Sequence, residues 1–319
     1  MKEYPPKPAF LDRMRLILGD EFDKYIESLK LKPLNSIRAN TLKISPEQLV
    51  QRLKKKLWKI SQPFEGFPEI IIVESELLPG EIGRSMEHLL GYYYVQDISS
   101  MLPVISLNPG ENDFVLDLCA APGSKTSQIS AKMGNKGTII ANDVSIGRIK
   151  ILASNLERCG AMNSIITKST AESLCKKMKG QSFKVDKILL DAPCSGEGTM
   201  ISNKKTALMW NPKRISILSR VQKAMAMNAF ELLKPEGEMV YSTCTHAPEE
   251  NEEVVDFLLK KFDNVRLEEV TIPKEMKFHQ GMTSWQDKKY SDEIKKCVRI
   301  YPHDNKTEGF FIAKIRKTE

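Results

Sequence analysis

Several things are missing from this 319-residue chain, and each absence closes a class of function. No apolar run approaches the ~20 residues that span a bilayer, so no membrane span is expected. The opening Met1-Lys2-Glu3-Tyr4-Pro5-Pro6 lacks the apolar core of a secretion signal, and a cytoplasmic protein is the expectation. None of the six cysteines (Cys119, Cys159, Cys175, Cys194, Cys244, Cys297) belongs to a C-x-x-C pair. A zinc ribbon or thioredoxin-like site is thereby disfavoured, no metal is expected, and the thiols should be free. The chain has only four histidines, His88, His246, His279 and His303. There is no internal repeat and no low-complexity segment.

What remains is ordinary globular composition, 41% hydrophobic and 28% charged, which permits a sizeable core. The net charge of +7 is compatible with a polyanionic partner. Lysines gather at Lys54–Lys56, Lys176–Lys179 and Lys288–Lys296, each read as a solvated face. Residues 1–33 carry a helical apolar pattern (Phe10, Met14, Ile17, Leu18, Phe22, Tyr25, Ile26, Leu29) that Pro33 ends. Residues 34–105 then give a strand at 36–42, a helix opened by Ser45-Pro46 and a strand at 69–74, together a small α+β module.

From residue 106 onward strands alternate with helices. Runs at 114–118, 138–142, 163–167, 187–190 and 238–242 read as buried strands, with helices at 145–159 and 212–233. The expected fold class is α/β, a doubly wound Rossmann-like sheet preceded by the small module. Residues 309–315 read as a late strand, placed antiparallel at the edge of that sheet.

In such a sheet ligands collect beyond the carboxyl ends of the strands. The first of these strands runs into Cys119-Ala120-Ala121-Pro122-Gly123-Ser124-Lys125 and then a helix. Small residues let a ligand approach the backbone, and the helix start offers free N–H groups for a carboxylate. The turn spells neither a dinucleotide fingerprint nor a P-loop. The second strand ends at Asp143, placed to accept ribose hydroxyls, although a lone Asp there would also cap a helix. A nucleoside with a carboxylate tail fits both features, and S-adenosylmethionine is such a molecule.

The fourth strand ends in Asp191-Ala192-Pro193-Cys194-Ser195-Gly196, the fifth in Ser242-Thr243-Cys244-Thr245. Two cysteines thus share the rim that holds the nucleoside turn. These segments, with Pro248-Glu249-Glu250-Asn251-Glu252, Arg38-Ala39-Asn40-Thr41-Leu42, Gln96-Asp97-Ile98-Ser99-Ser100-Met101 and Gly309-Phe310-Phe311, resemble the RNA (cytosine-5)-methyltransferases of the Nol1/Nop2/Sun family over residues 36–317. The resemblance implies a class I methyltransferase sheet and an RNA-recognition-like module. It also implies Cys244 as nucleophile, Cys194 in product release and Asp191 at the cytosine and the cofactor. Residues 119–125 would surround the methionine part of S-adenosylmethionine, Asp143 its ribose, and Arg148 would stand beside it. Where relatives often have an Asp for the adenine, this chain has Lys168-Ser169-Thr170-Ala171-Glu172, and Thr170 falls nearest.

Arg38 and Asn40 are read either as phosphate or ribose contacts or as buried structural groups. Of Tyr92-Tyr93-Tyr94, two are expected in the core. The compact chain and the C-A-A-P-G-S-K-T spelling resemble members acting on transfer RNA, with ribosomal RNA the alternative substrate. A monomer is expected. Two other readings stand beside this one. A non-catalytic RNA-binding assembly factor would show damaged motifs, and a cysteine hydrolase would use Cys244 with His246.

Overall fold

The computed structural model describes residues 5–319, so the first four residues of the expected helical stretch lie outside the described residues. The N-terminal pattern forms helices Pro8–Leu18 and Phe22–Ser28, joined by a tight turn at Gly19, whose φ of 53° suits glycine. Their apolar faces do not rest on the small module. Phe10, Met14, Phe22 and Tyr25 pack against Met200, Trp210, Ile215, Ala247 and Tyr301, far along the chain.

The small module is an antiparallel sheet of β1 (Asn35–Ala39), β2 (Ile60–Ser61), β3 (Ile70–Val73) and β4 (Tyr93–Val95), in the order β2-β3-β1-β4. β1 is shorter than expected because Asn40 turns the chain, accepting from Leu42 N through its side chain and from Lys43 N through its carbonyl. Helix Pro46–Lys55 begins with a capping box between Ser45 and Gln48. It presses Leu49 and Leu53 onto Ile37, Ile71 and Tyr93. Tyr93 and Tyr94 are buried, and Tyr92 is partly so.

The next helix, Ile98–Leu107, is apolar nearly all round, and its Ile98, Met101, Leu102, Val104 and Ile105 pack with Val115, Ile139, Leu189 and Val240 of the large sheet. The expected boundary at 105/106 therefore falls inside an element that the large sheet buries.

That sheet contains β5 (Phe114–Asp117), β6 (Thr138–Asp143), β7 (Ser164–Lys168), β8 (Val185–Asp191) and β9 (Leu233–Thr243), all parallel, in the order β7-β6-β5-β8-β9. The order reverses between β5 and β8, so the ends of these two strands frame the binding crevice of a doubly wound fold. β9 begins five residues before the expected 238, with a register shift that accommodates the Lys234–Gly237 segment.

Short strands complete the sheet: β10 (Val265–Glu268), β11 (His279–Gln280), β14 (Val298–Ile300) and β15 (Phe310–Lys317), while β12 (Ser284–Trp285) and β13 (Lys288–Lys289) form a separate hairpin. β15 runs antiparallel to β9 as expected, but it is not an edge strand. β14 and β10 pair with its other side. The reason is legible in Phe310-Phe311-Ile312-Ala313, all buried, an unbroken apolar run of the kind an interior strand carries. Among the described residues no helix is long and apolar enough to cross a membrane.

Candidate active site

The turn after β5 is shaped by its small residues. Ala120 and Ala121 are buried, and the Gly123 N–H donates to Ala120 O at 2.8 Å. Gly123 holds φ at 104°, and a Cβ there would come within 3.1 Å of Leu152, so glycine is required on both counts. Helix Ser124–Lys132 starts directly after it. Cys119 is partly buried, its thiol pushed well up by burial and then by Asp117, Asp191 and Asp143, so it stays protonated. Beneath the turn, Asp117 is buried; its Oδ2 accepts from Thr126 Oγ1 at 2.7 Å, and its Oδ1 has no partner. Burial raises its carboxyl to about 7.

Lys125 is not a solvent lysine. It is buried, donates to Asp191 Oδ2 at 2.8 Å and to Ser100 Oγ at 2.9 Å, and lies over the Phe310 ring. Asp191, partly exposed, also accepts from Ser242 Oγ at 2.8 Å. A single carboxylate thus ties the nucleoside turn to the ends of β8 and β9.

At the end of β6, Asp143 is buried; it accepts from Ser145 N at 3.0 Å and pairs with Arg148 at 3.2 Å. The helix cap expected at Asp143 is supplied instead by Ser145. Arg148 also donates to Ala121 O, which joins Asp143 to the turn. Thr170 is not brought to these residues by any hydrogen bond. Its hydroxyl is spent as the N-cap of helix Ala171–Gly180, accepting from Ser173 N, so the expected side-chain contact to adenine has a competitor in the cap.

The two cysteines meet: Cys194 Sγ and Cys244 Sγ lie 3.3 Å apart, both partly buried. The Cys194 thiol is held well above the ordinary range by its hydrogen bond to Cys244 and then by burial. Around them the backbone is pinned by buried carboxylates to which the sequence reading assigned no role. Glu250 accepts from Ser195 N at 3.0 Å and Gln222 Nε2 at 2.8 Å, and burial raises its carboxyl to about 7. Glu197 accepts from Trp210 Nε1, Thr245 Oγ1 and His246 N. Arg299 pairs with Glu252 at 2.5 Å and donates to His246 O at 3.0 Å, with both charges buried. Gly198 and Gly309 touch backbone to backbone, joined by Gly309 N to Gly198 O at 2.9 Å. His246 packs among Tyr25 and Tyr301, and burial lowers its imidazole to about 3, so it is unsuited to act as a base for Cys244.

Arg38 and Asn40 are buried structural groups. Arg38 donates to Ser124 O at 2.7 Å and Ser127 Oγ at 2.8 Å and also reaches Gln96, bolting β1 onto the nucleoside turn. The buried form weighed from sequence paired it with a carboxylate; here neutral oxygens surround it, and burial lowers the guanidinium to about 10. Asn40 donates to Gly91 O and Cys159 O.

A small-residue turn, an orphaned buried acceptor at Asp117 and a buried carboxylate one strand away suit a nucleoside with an amino-acid tail. With the strand order, they define an S-adenosylmethionine-dependent methyltransferase of Rossmann-like architecture. Comparison with known proteins narrows this class. The family described as 16S rRNA methyltransferase RsmB/F matches residues 104–316, and the N-terminal domain of 16S rRNA methyltransferase RsmF matches residues 6–98. The chain is 40% identical to a tRNA (cytosine(49)-C(5))-methyltransferase of Pyrococcus abyssi, over 94% of this chain and 92% of that protein. It is 38% identical to ribosomal RNA small subunit methyltransferase F of Psychromonas ingrahamii, over 98% of this chain but 63% of the relative's length. A methyltransferase homologue from Pyrococcus horikoshii superposes with a TM-score of 0.85 at 34% identity, covering 98% of this chain and 95% of that one. NSun6 from the same organism, solved with SFG, an analogue of S-adenosylmethionine, superposes with a TM-score of 0.81 at 27% identity, covering 98% of each chain. The chain belongs to the RsmB/F family of S-adenosylmethionine-dependent RNA (cytosine-5)-methyltransferases.

Proposed function

We infer that this enzyme methylates carbon 5 of a cytosine in transfer RNA, with Cys244 as nucleophile and Cys194 as the group that manages release. The observation that carries the mechanism is the pair of thiols 3.3 Å apart at the ends of neighbouring strands. Carbon 5 of cytosine is a weak nucleophile until a thiolate adds to carbon 6. In this reading the Cys244 sulfur forms the bond to carbon 6, and the displaced electron pair is drawn toward ring nitrogen 3, where a proton or hydrogen bond is needed. In this reading Asp191, oriented by Lys125 and Ser242, would supply that proton or hydrogen bond. S-adenosylmethionine supplies the methyl group. Residues 119–125 would hold its amino-acid tail and Asp143 its ribose, with Arg148 beside them. Loss of the carbon 5 proton and cleavage of the sulfur–carbon 6 bond then return Cys244 as thiolate. Cys194, 3.3 Å from Cys244, fits the release step as the base. As a thiolate it would take the carbon 5 proton while the freed electron pair re-forms the ring double bond and expels Cys244, and its raised proton affinity favours holding that proton.

The transfer RNA reading is supported by the match along nearly the full length of both partners in the Pyrococcus abyssi comparison. Ribosomal RNA is the second reading, favoured by the two families, which are named for 16S rRNA enzymes. All the residues of the candidate site come from one chain, so a monomer would suffice. Cys244→Ala should abolish methyl transfer and covalent capture of RNA containing 5-fluorocytosine, and retained turnover would sink the assignment. Cys194→Ala should instead accumulate a protein–RNA adduct on denaturing gels. Bisulfite sequencing of total RNA with and without the gene decides the substrate. Loss of a methylcytosine in 16S rRNA alone would replace the first reading with the second.

A further inference from the structure

We propose that Glu21, His279, His303 and Asp304 bind one divalent transition-metal ion of zinc's class, which clips the N-terminal helices to the methyltransferase domain. The four residues come from three separate stretches: the turn between helices Pro8–Leu18 and Phe22–Ser28, strand β11, and the short helix Pro302–Asn305. One ligand atom from each lies within 4.8 Å of every other. His279 Nε2 is 2.9 Å from Asp304 Oδ2 and 3.7 Å from Glu21 Oε2, and His303 Nε2 is 3.7 Å and 3.9 Å from the same two oxygens. A tetrahedral shell with metal–ligand bonds of about 2.0–2.1 Å has edges of roughly 3.3–3.4 Å, within the spread of these separations.

The independent sign of a ligand is His303. Its side chain is only 4% exposed, and neither ring nitrogen has a hydrogen-bond partner among the described residues. Leaving a buried polar atom unmet costs about 1–3 kcal/mol, and a metal at Nε2 would meet it. The ring is fixed by Tyr301 stacked at 5.6 Å and by the edge of Tyr25 at 6.2 Å. His279 already faces Asp304 and Glu21, so ion pairs explain those three residues but leave His303 unexplained. Two carboxylates neutralise a doubly charged ion against the nearby Lys24 and Lys277, whose charges reach His303 and Asp304. Two imidazoles with two carboxylates select zinc-like ions over magnesium or calcium, which prefer all-oxygen shells. Four protein ligands make a closed, structural site. The Glu21 and His279 side chains, 37% and 34% exposed, leave a route for entry.

The test uses the full chain, stripped with a chelator, given one equivalent of zinc and desalted. About one zinc should stay per chain, and the melting temperature should rise with added zinc through preferential binding to the folded state. Cobalt in its place should give the visible bands of four-coordinate cobalt without thiolate charge transfer. Glu21→Gln, partly exposed and isosteric, and Asp304→Asn should each weaken retention at least about tenfold, as should His303→Ala. No zinc retained by the wild-type chain overturns the proposal. So does retention unchanged in Glu21→Gln and Asp304→Asn, or a thiolate band, which would move the metal to the cysteines.

Discussion

The ends of β8 and β9 and the ends of β6 and β7 border one rim of one sheet, yet they are built differently. On the β8–β9 side, Glu197, Glu250 and Asn251 are buried and hydrogen-bonded into the segments that carry Cys194 and Cys244, and buried Glu252 holds Arg299, which donates to His246 O. On the β6–β7 side, Asp143 is paired with Arg148, whose side chain is 53% exposed, and Thr170 caps a helix at the surface. The segments that carry the two thiols are therefore held by buried partners, while Asp143 is closed off by one half-exposed arginine side chain.

That contrast can be broken by substitution. The largest effect should follow Glu252→Ala, which strands the buried Arg299 charge. Stability should fall by about 3–5 kcal/mol in urea titrations, and a change under 1 kcal/mol would mean that the web around Cys244 is not rigidified by this pair. Arg38→Met comes next. It takes one donor each from Gln96 Oε1, Ser124 O and Ser127 Oγ, at a cost of about 1–3 kcal/mol. Because Ser124 belongs to the nucleoside turn, affinity for S-adenosylhomocysteine measured by calorimetry should also weaken, and unchanged affinity would uncouple the module from the turn.

Glu250→Gln sharpens the comparison through pH. The folded carboxyl is raised to about 7 from an ordinary 4.5, so its contribution to stability is present below about 4.5 and is lost as pH rises through 7. The glutamine cannot titrate. Relative to wild type, the variant should gain stability steadily between pH 5 and 8 in thermal melts, by on the order of 1–3 kcal/mol, and a flat difference would contradict the raised value. The smallest effect is expected at Thr170→Ala, about 1 kcal/mol of stability from the lost cap. Affinity for S-adenosylhomocysteine should not change. A loss of affinity would restore Thr170 to the adenine site.

Much of the parallel sheet could be read ahead of the structure, because its buried strands are apolar runs that end in chemically marked residues: Asp117, Asp143, Asp191, Thr243. The same marking pointed to both cysteines. The short strands β10, β11 and β14 escaped, being two to four residues long and without a periodic pattern of their own. β15 was misplaced at the edge although its four consecutive buried residues carried the signal for an interior strand. The motifs named Arg38, Lys125 and Glu250 but not their partners. Each acts through side chains 25 or more positions away, and a polar letter does not say which they are. Thr170 is the case where a local cap competes with the ligand role expected from sequence, because its hydroxyl already accepts from Ser173 N.

Helix Ile98–Leu107 has a practical corollary for anyone cutting this protein apart. A small-module fragment that ends at 105 would strip Ile98, Met101, Leu102, Val104 and Ile105 of their packing against Val115, Ile139, Leu189 and Val240, leaving them the small-module residues Phe64 and Ile70. Such a fragment should precipitate, and the complementary piece beginning at 106 should expose the bare side of its sheet. A cut just ahead of Ile98 keeps β4 with the module and leaves the helix where its apolar surface is needed.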